Sequence, residues 1–179
     1  MNRENFQIRQ NEECPETCCP NTGELAPNFG FEGNFVASDS DLVPVGWSGT
    51  NVDQEKVQQK IHSGLKAVVL GRTPSADAVL TSQLLTTDVI PGCFYILAFH
   101  AGGTGPSILT AQLIFIDSMG GQTVGGQIQV IGASKVANVG VFYRGIFGPA
   151  PSDLAAVQIK FTKTGTGSID LDDVSLTIA

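Results

Sequence analysis

The four cysteines are the residues best suited to chemistry, and three of them lie close together near the N-terminus. Cys14, Cys18 and Cys19 form a C-x3-C-C cluster, while Cys93 stands alone in the rest of the chain. The cluster could offer three thiolates to a metal, but no histidine is nearby and no second cysteine pair completes a tetrahedral zinc site. Free thiols or a local disulfide are a second interpretation, although adjacent cysteines rarely pair with each other. We predict a third arrangement, in which Cys14, Cys18, Cys19 and Cys93 form intermolecular disulfides in an oxidising environment.

The segment that carries the cysteine cluster is polar and acidic. Residues 1–24 contain five Glu and two Arg, and Phe6 and Ile8 are their only large apolar residues. Such a segment cannot bury enough apolar surface to order itself. We therefore predict that residues 1–24 are a flexible, cysteine-bearing connector arm, which a partner surface would fix in place.

Two histidines and the remaining motifs give little support for catalysis. His62 lies in a predicted turn and His100 on a predicted strand, and both are expected to be structural. The sequence contains no Gly-x-Ser-x-Gly elbow, no His-Glu-x-x-His motif and no Walker motif. Cys93 follows a tight turn at the start of an apolar strand, which suits a packed or cross-linked thiol better than an activated one. The chain is therefore predicted not to be an enzyme.

Charge and hydropathy exclude two classes of partner. The chain has 179 residues and a net charge of −7 at pH 7, and its ten Lys and Arg residues are scattered. Nucleic-acid binding needs clustered basic residues, so we predict no nucleic-acid partner. No apolar run reaches the roughly 20 residues that span a bilayer, so we predict no membrane partner. The first 14 residues lack the apolar core of a secretory signal peptide, and synthesis without such a signal is expected.

The elements that must position these residues are strands. Short β-branched and aromatic runs alternate with Gly, Pro, Asn and Asp, as is typical of a sandwich or barrel. In 155–161, Ala155, Val157, Ile159 and Phe161 alternate with polar residues, which predicts one buried and one solvent-facing side. The predicted strands are Val79–Thr86, Cys93–Ala101, Leu109–Asp117, Gly126–Ile131, Val139–Phe147, Leu154–Thr162 and Ser168–Ile178. The only helical candidate, Asp53–Ile61, is polar nearly all round. We predict an all-β domain over residues 25–179, an antiparallel jelly-roll sandwich behind the arm.

An ordered set of short motifs resembles a known family. The motifs, in chain order, are Asn28-Phe-Gly-Phe-Glu32, Trp47, His62-Ser-Gly64 with Ala67, Pro91-Gly-Cys-Phe-Tyr95 and Leu171-Asp-Asp-Val-Ser-Leu176. Together they resemble the jelly-roll carbohydrate-binding modules of the family 4, 9 and 22 type. They resemble even more the related domains on surface proteins of spore-forming bacteria, often beside collagen-like repeats. The resemblance covers about residues 25–179.

The resemblance implies a structural calcium ion. In that family the Glu after Gly-Phe and an Asp of the terminal Asp-Asp-Val commonly hold Ca²⁺ with main-chain oxygens of the His-Ser-Gly turn. Carried over, the ligands would be Glu32, Asp172 or Asp173, and the main chain of Ser63–Lys66. Ca²⁺ prefers six to eight oxygen ligands, among them carboxylates. The alternative is that these carboxylates only form hydrogen bonds between the first and last strands.

The resemblance also raises the question of a glycan ligand. Sugars are recognised on exposed aromatic faces. Trp47 is expected in the core, and the phenylalanines of the strands, including Phe94 and Phe142, are mostly expected there as well. Trp47, Tyr95 and Tyr143 are the residues that would contact a glycan if one binds.

Two functions from different classes follow. The first is a self-assembling structural subunit of a spore-surface or extracellular filament, in which the arm docks on a neighbour and intermolecular disulfides join the subunits. In layout the arm resembles the N-terminal connectors of endospore appendage (pilus) subunits. The partners would be other copies of the chain and other spore-surface proteins. The second function, kept as the alternative, is a monomeric carbohydrate-binding, lectin-like module.

Overall fold

The computed structural model describes residues 19–20, 23–131 and 140–179, and within them nearly all regular structure is β-strand. The strands in chain order are β1 (Phe35–Ser38), β2 (Asp41–Pro44), β3 (Trp47–Thr50), β4 (Val52–Glu55), β5 (Ala67–Leu70), β6 (Ala78–Ser82), β7 (Tyr95–Gly103), β8 (Ile108–Asp117), β9 (Gln122–Ile131), β10 (Val141–Phe147), β11 (Leu154–Thr164) and β12 (Ile169–Ile178). A 3-10 helix, Gln58–Lys60, lies between β4 and β5. No helix in these ranges is long and apolar enough to cross a membrane.

The strands form two five-stranded sheets that pack face to face. The first sheet has the order β10-β7-β12-β5-β4, and the second sheet has the order β3-β6-β11-β8-β9. Strands β1 and β2 form a separate hairpin. Every strand pair of the described residues is antiparallel. The predicted antiparallel jelly-roll sandwich is therefore confirmed.

The core lies between the two sheets and follows the alternation read from the sequence, except at Ala155, which a register shift at the start of β11 leaves exposed. On β11, Val157, Ile159 and Phe161 are fully buried, whereas Lys160 and Thr162 face outward. On β12, Leu171 and Leu176 are fully buried. Each large apolar side chain buried in this way contributes roughly 1.5–3 kcal/mol. The burial of these faces explains why the two sheets stay together.

The long strands were predicted to within a few residues, whereas the short ones were not. Strands β6 to β12 correspond to the seven predicted segments, although the residue Val139 falls outside the described ranges. The structure adds β1 to β5, which are only four residues each. The helical candidate Asp53–Ile61 instead contributes to β4 and the 3-10 helix. Four residues are too few for a two-residue period to stand out.

The predicted connector meets the domain at its last strand. The main-chain N–H of Leu25 donates to the Leu176 carbonyl at 2.8 Å. The Glu24 carboxylate accepts hydrogen bonds from the Leu176 N–H at 2.8 Å and from the Ser175 hydroxyl at 2.6 Å. Glu24 and Leu25 thus fasten the start of the domain to β12. The division of the chain at residue 24 stays a prediction, because residues 1–18 and 21–22 lie outside the described residues.

Among the described residues the structure has a disulfide between two cysteines of the same chain, and this corrects part of the cysteine prediction. Cys19 is bonded to Cys93, and their Cα atoms lie 5.6 Å apart. Cys93 is fully buried ahead of β7, and Cys19 packs against the core beside it, so each sulfur finds its partner in the same chain. The sequence analysis predicted intermolecular disulfides for Cys19 and Cys93, and the structure instead joins these two residues to each other. Cys14 and Cys18 lie outside the described residues, and intermolecular bonds through them stay a prediction.

Candidate functional site

The candidate site lies on the outer face of the first sheet, the face turned away from the second sheet. Strands β10, β7 and β12 are neighbours there, and the register of their pairing sets side chains in rows across the face. The rows are Phe142, His100 and Asp172; Arg144, Ala98 and Ser175; and Ile146, Ile96 and Thr177. This register brings an aromatic ring, a guanidinium and carboxylates from distant parts of the chain onto one surface.

Three rings form a continuous line at one end of this surface. The Phe142 ring centroid lies 5.1 Å from that of His100, and the two planes are tilted by 47°. The His100 ring in turn stacks on His62, with centroids 3.4 Å apart and planes 11° from parallel. The Phe142 side chain is 55% exposed. The surface therefore presents an exposed aromatic ring at the start of a row of three rings in contact.

A carboxylate is positioned beside the two histidines by an irregularity in β12. The pairing of β12 with β7 shifts register between Asp172 and Ser175, and Asp173 adopts φ +48°. The Oδ2 atom of Asp173 lies 2.6 Å from His62 Nδ1, and its Oδ1 accepts a hydrogen bond from the Ser63 hydroxyl at 2.6 Å. Non-glycine residues with positive φ are uncommon and often mark functional positions. The bulge aims the Asp173 carboxylate at the histidine pair.

Burial changes the ionisation of this cluster. It lowers the pKa of His100, and a positive charge on His62 lowers it further, whereas Asp173 raises it. The surroundings of His100 therefore favour its neutral form. Burial also raises the pKa of Asp172 to about 6, and hydrogen bonds from the main chain of Ser63 and Asp173 oppose that rise.

The residues predicted to bind calcium meet main-chain N–H groups instead. Glu32 Oε1 accepts hydrogen bonds from the N–H groups of Leu65 and Lys66, both at 2.9 Å. Asp172 Oδ2 accepts from the N–H groups of His62 at 2.9 Å and Ser63 at 3.1 Å. Both carboxylates thus hold the main chain of residues 62–66, and these bonds do not run between the first and last strands as the alternative had it.

A lysine side chain lies where main-chain oxygens would be needed for a cation. The Lys66 ammonium donates to the carbonyls of Glu32 and Gly33, each at 2.9 Å. Because Ca²⁺ needs six or more oxygens, a pair of carbonyls already bound by an ammonium and carboxylates already bound by N–H groups do not fit it. Calcium binding by Glu32, Asp172 and Asp173 stays a prediction that these contacts do not favour.

The three residues predicted to contact a glycan do not form an exposed surface. Trp47 is 8% exposed, and its indole N–H donates to the Pro27 carbonyl at 2.8 Å. Tyr95 is fully buried, and its hydroxyl is hydrogen-bonded to the main chain of Ile90. Tyr143 is half-buried and stacks on Phe99, with ring centroids 5.5 Å apart. Trp47 is thus in the core, as expected, and none of the three offers an open ring face.

The structure exposes Phe142 and Phe94, two aromatic residues that the sequence analysis assigned to the core, and Phe29 is exposed as well. Strand β10 carries apolar residues on both faces, so its pattern alone does not say which side is buried. Arg144 is the signal that was available, because a two-residue period puts Phe142 and Ile146 on the same side as this charged residue. The resemblance had implied that Asp172 or Asp173 approaches the His62-Ser-Gly64 turn, whereas nothing in the sequence brought His100 to them.

A concave feature elsewhere on the described part of the chain offers less chemistry. A depression of about 450 Å³ lies near Cys93, and it is lined by Pro91, Gly92, Pro149, Ala150 and Ser152. None of these five residues is charged or aromatic, so the depression lacks the polar groups that orient a ligand. The outer face of the first sheet remains the better candidate.

Comparison with known proteins supports the fold. No protein family and no curated protein matches the sequence. Among solved structures, TmCBM61 in complex with β-1,4-galactotriose is 18% identical with a TM-score of 0.58, and the match covers 87% of this chain and 98% of that chain. The CBM22-1 xylan-binding domain from Paenibacillus barcinonensis Xyn10C is 14% identical with a TM-score of 0.57, covering 83% of this chain and 90% of that chain.

A phage protein shares the same fold over part of its length. The enzymatically active domain of bacteriophage CBA120 tailspike protein 4 is 20% identical with a TM-score of 0.57 over 75% of this chain. This chain spans only 20% of that protein. At these identities the likeness concerns the fold. The chain therefore has the jelly-roll fold of carbohydrate-binding modules, which confirms the resemblance seen in its motifs.

Proposed function

We propose that the chain is a carbohydrate-binding module that acts outside the cell or on a cell or spore surface, and that it is not an enzyme. The observation that carries the proposal is the open Phe142 ring at the end of the Phe142–His100–His62 row. The fold shared with modules solved in complex with β-1,4-galactotriose or described as xylan-binding supports it. A disulfide between Cys19 and Cys93 supports an oxidising location.

The chemistry of the surface suits a pyranose. The C–H face of a sugar ring packs on an aromatic face, which removes apolar surface from water. Arg144 lies on the same face as Phe142, and Ser175 lies two strands away in the Arg144 row. These groups and the Asp173 carboxylate can exchange hydrogen bonds with sugar hydroxyls. Phe142 would supply most of the affinity, and the polar groups would set the orientation.

The test is a binding titration with soluble galactan and xylan oligosaccharides in the presence of a chelator. Phe142→Ala should abolish or strongly weaken binding, because no other ring of the described residues offers an open face at that point of the sheet. Met119→Ala serves as the control, since Met119 is 92% exposed and follows β8 in the second sheet. Equal binding by the wild type and Phe142→Ala would contradict the proposed site. No binding in a broader glycan array would contradict the proposed function.

A self-assembling structural subunit of a spore-surface or extracellular filament is the second candidate. Strand β10 is an edge of the first sheet and carries the exposed apolar residues Val141, Phe142 and Ile146. Such an edge can accept a strand from a second copy of the chain. Electron microscopy of oxidised and reduced protein tests this. Fibres that weaken under reductant would support the subunit, and discrete particles in both samples would contradict it.

A further inference from the structure

Three metal-ligating side chains from separate parts of the chain meet at one point. His62 follows the 3-10 helix, His100 lies on β7, and Asp173 lies in the β12 bulge. One ligand atom from each lies within 4.8 Å of the other two. Their meeting depends only on the fold, because His62 and Asp173 are 111 residues apart in the sequence.

The distances come close to those of a coordination site. Asp173 Oδ2 lies 2.6 Å from His62 Nδ1 and 3.6 Å from His100 Nδ1. Bonds of about 2.0–2.2 Å in a tetrahedral zinc site place neighbouring ligand atoms roughly 3.3 Å apart. The longer distance is already of this size, the shorter one must widen by well under 1 Å, and the two stacked rings must turn out of their parallel arrangement.

The Nδ1 atom of His100, which faces the Asp173 carboxylate, makes no hydrogen bond in the described part of the chain. His100 Nδ1 is buried and finds no hydrogen-bond partner among those residues. Leaving a buried polar atom unpaired is unfavourable, and such atoms in folded proteins usually have an explanation. A bound cation would pair this nitrogen. Ser63 supports the arrangement, because its hydroxyl holds the other oxygen of the Asp173 carboxylate at 2.6 Å.

We propose that His62, His100 and Asp173 bind one divalent transition-metal cation of the Zn²⁺ type. Two imidazoles and one carboxylate suit Zn²⁺, Cu²⁺ or Ni²⁺, whereas Ca²⁺ and Mg²⁺ prefer oxygen ligands. Ligation through Nδ1 requires each imidazole to be neutral with its one proton on Nε2, and bonds to the metal then replace the hydrogen bond between His62 and Asp173. Because a metal lies in the plane of each ligating ring, the stacked rings must separate. His62 can move, since its side chain is 32% exposed on a turn. Three protein ligands leave a fourth position open.

The test is calorimetry with ZnCl₂ on the untagged, chelator-treated full chain. The arm cysteines could also bind zinc, so the background carries Cys14→Ser and Cys18→Ser. We expect one Zn²⁺ per chain. Binding should be lost in the His62→Gln/His100→Gln variant and weakened at least about tenfold in Asp173→Asn. Asp53→Asn is the matched control, because Asp53 is a half-buried carboxylate on β4 of the same sheet and is not part of the cluster.

A second measurement keeps the proposal testable if the double variant does not fold. Imidazole ¹⁵N spectra of the wild type should show the resonances of both histidines shifting on addition of Zn²⁺ and not on addition of Ca²⁺. Absence of Zn²⁺ binding, binding retained in the folded double variant, or unshifted histidine resonances would overturn the proposal. The metal site does not depend on the proposed function, because glycan binding is measured in chelator and zinc binding without glycan.

Discussion

The Nδ1 atom of His62 lies 2.6 Å from the Oδ2 atom of Asp173, and this contact ties the turn after the 3-10 helix to the final strand. The neighbouring Asp172 carboxylate accepts the main-chain N–H groups of His62 and Ser63, so the same turn is fixed at several points. The contacts hold the His62 ring over His100. Strand β12 therefore fixes the turn at His62 and Ser63, and this turn places the His62 ring in the row that ends at Phe142.

Trp47 should matter for stability and not for ligand binding. Its indole contacts the rings of Phe31 and Phe161 in the core. Trp47→Ala is expected to lower the free energy of unfolding by about 3–5 kcal/mol, because it leaves a cavity. Phe142→Ala, at an exposed position, should cost less than about 1 kcal/mol. Urea denaturation of both variants measures this, and a larger loss for Phe142→Ala would contradict the assignment of the two residues.

Gly64 should be intolerant of a side chain. Its φ is +65°, and a Cβ atom there would overlap the Glu32 carboxylate. Gly64→Ala should therefore lower the free energy of unfolding by roughly 2–3 kcal/mol, from backbone strain together with the displaced Glu32. Gly92→Ala is the matched control, since Gly92 has φ +77° and open space around its Cβ position. Gly92→Ala should lower the free energy of unfolding by only about 1 kcal/mol, because it adds backbone strain alone. Equal losses in both variants would show that the Glu32 contact is unimportant.

The Cys19–Cys93 disulfide should stabilise the monomer. The two residues are 74 positions apart in the sequence, so the bond closes a long loop. In the chain-entropy model, replacing both by Ser lowers the free energy of unfolding by about 4 kcal/mol. Thermal denaturation of the wild type and the double variant measures the effect.

Isotope mixing shows whether this disulfide forms within one chain. Light and ¹⁵N-labelled chains are mixed while reduced, oxidised together and digested. If the bond is intramolecular, as the structure has it, every Cys19–Cys93 peptide pair carries a single label. Cys19–Cys93 peptide pairs that carry both labels would instead support the intermolecular disulfide predicted from the sequence.

Asp170 should make the protein less stable as the pH rises. Burial raises its pKa from 3.8 to about 6, although Lys60 opposes that rise. Because the folded state holds the proton more tightly, the stability contributed by Asp170 is present below pH 3.8 and is lost as the pH rises through about 6. The loss amounts to roughly 3 kcal/mol. Asp170→Asn should flatten the fall in the free energy of unfolding between about pH 4 and about pH 7.

Chemical denaturation at several pH values tests the Asp170 prediction. Asp172 also has a raised pKa, and its contribution has the same sign, so the comparison must be the difference between wild type and Asp170→Asn. An unchanged pH dependence in the variant would contradict the prediction. A rise in wild-type stability over this pH range that Asp170→Asn abolishes would reverse its sign.

The sequence by itself determined the fold class and the long strands β6 to β12. Alternation of period two, as in Val157, Ile159 and Phe161, predicts a strand with one buried face whatever lies around it. Turn residues such as Pro91-Gly92 mark where the strands end. These signals are local, because they depend on backbone geometry and on neighbours a few residues away.

The tertiary structure alone decided which faces are buried and which distant residues meet. Strand β10 has apolar residues on both faces, and only the position of the second sheet turns Phe147 inward and leaves Phe142 exposed. The same holds for the bond between Cys19 and Cys93 and for the contact of His62 with Asp173. Residues separated by 74 or 111 positions come together through the order of strands in the two sheets. A periodic pattern shows which side chains share a face, and the packing of the other sheet determines whether that face meets the core or the solvent.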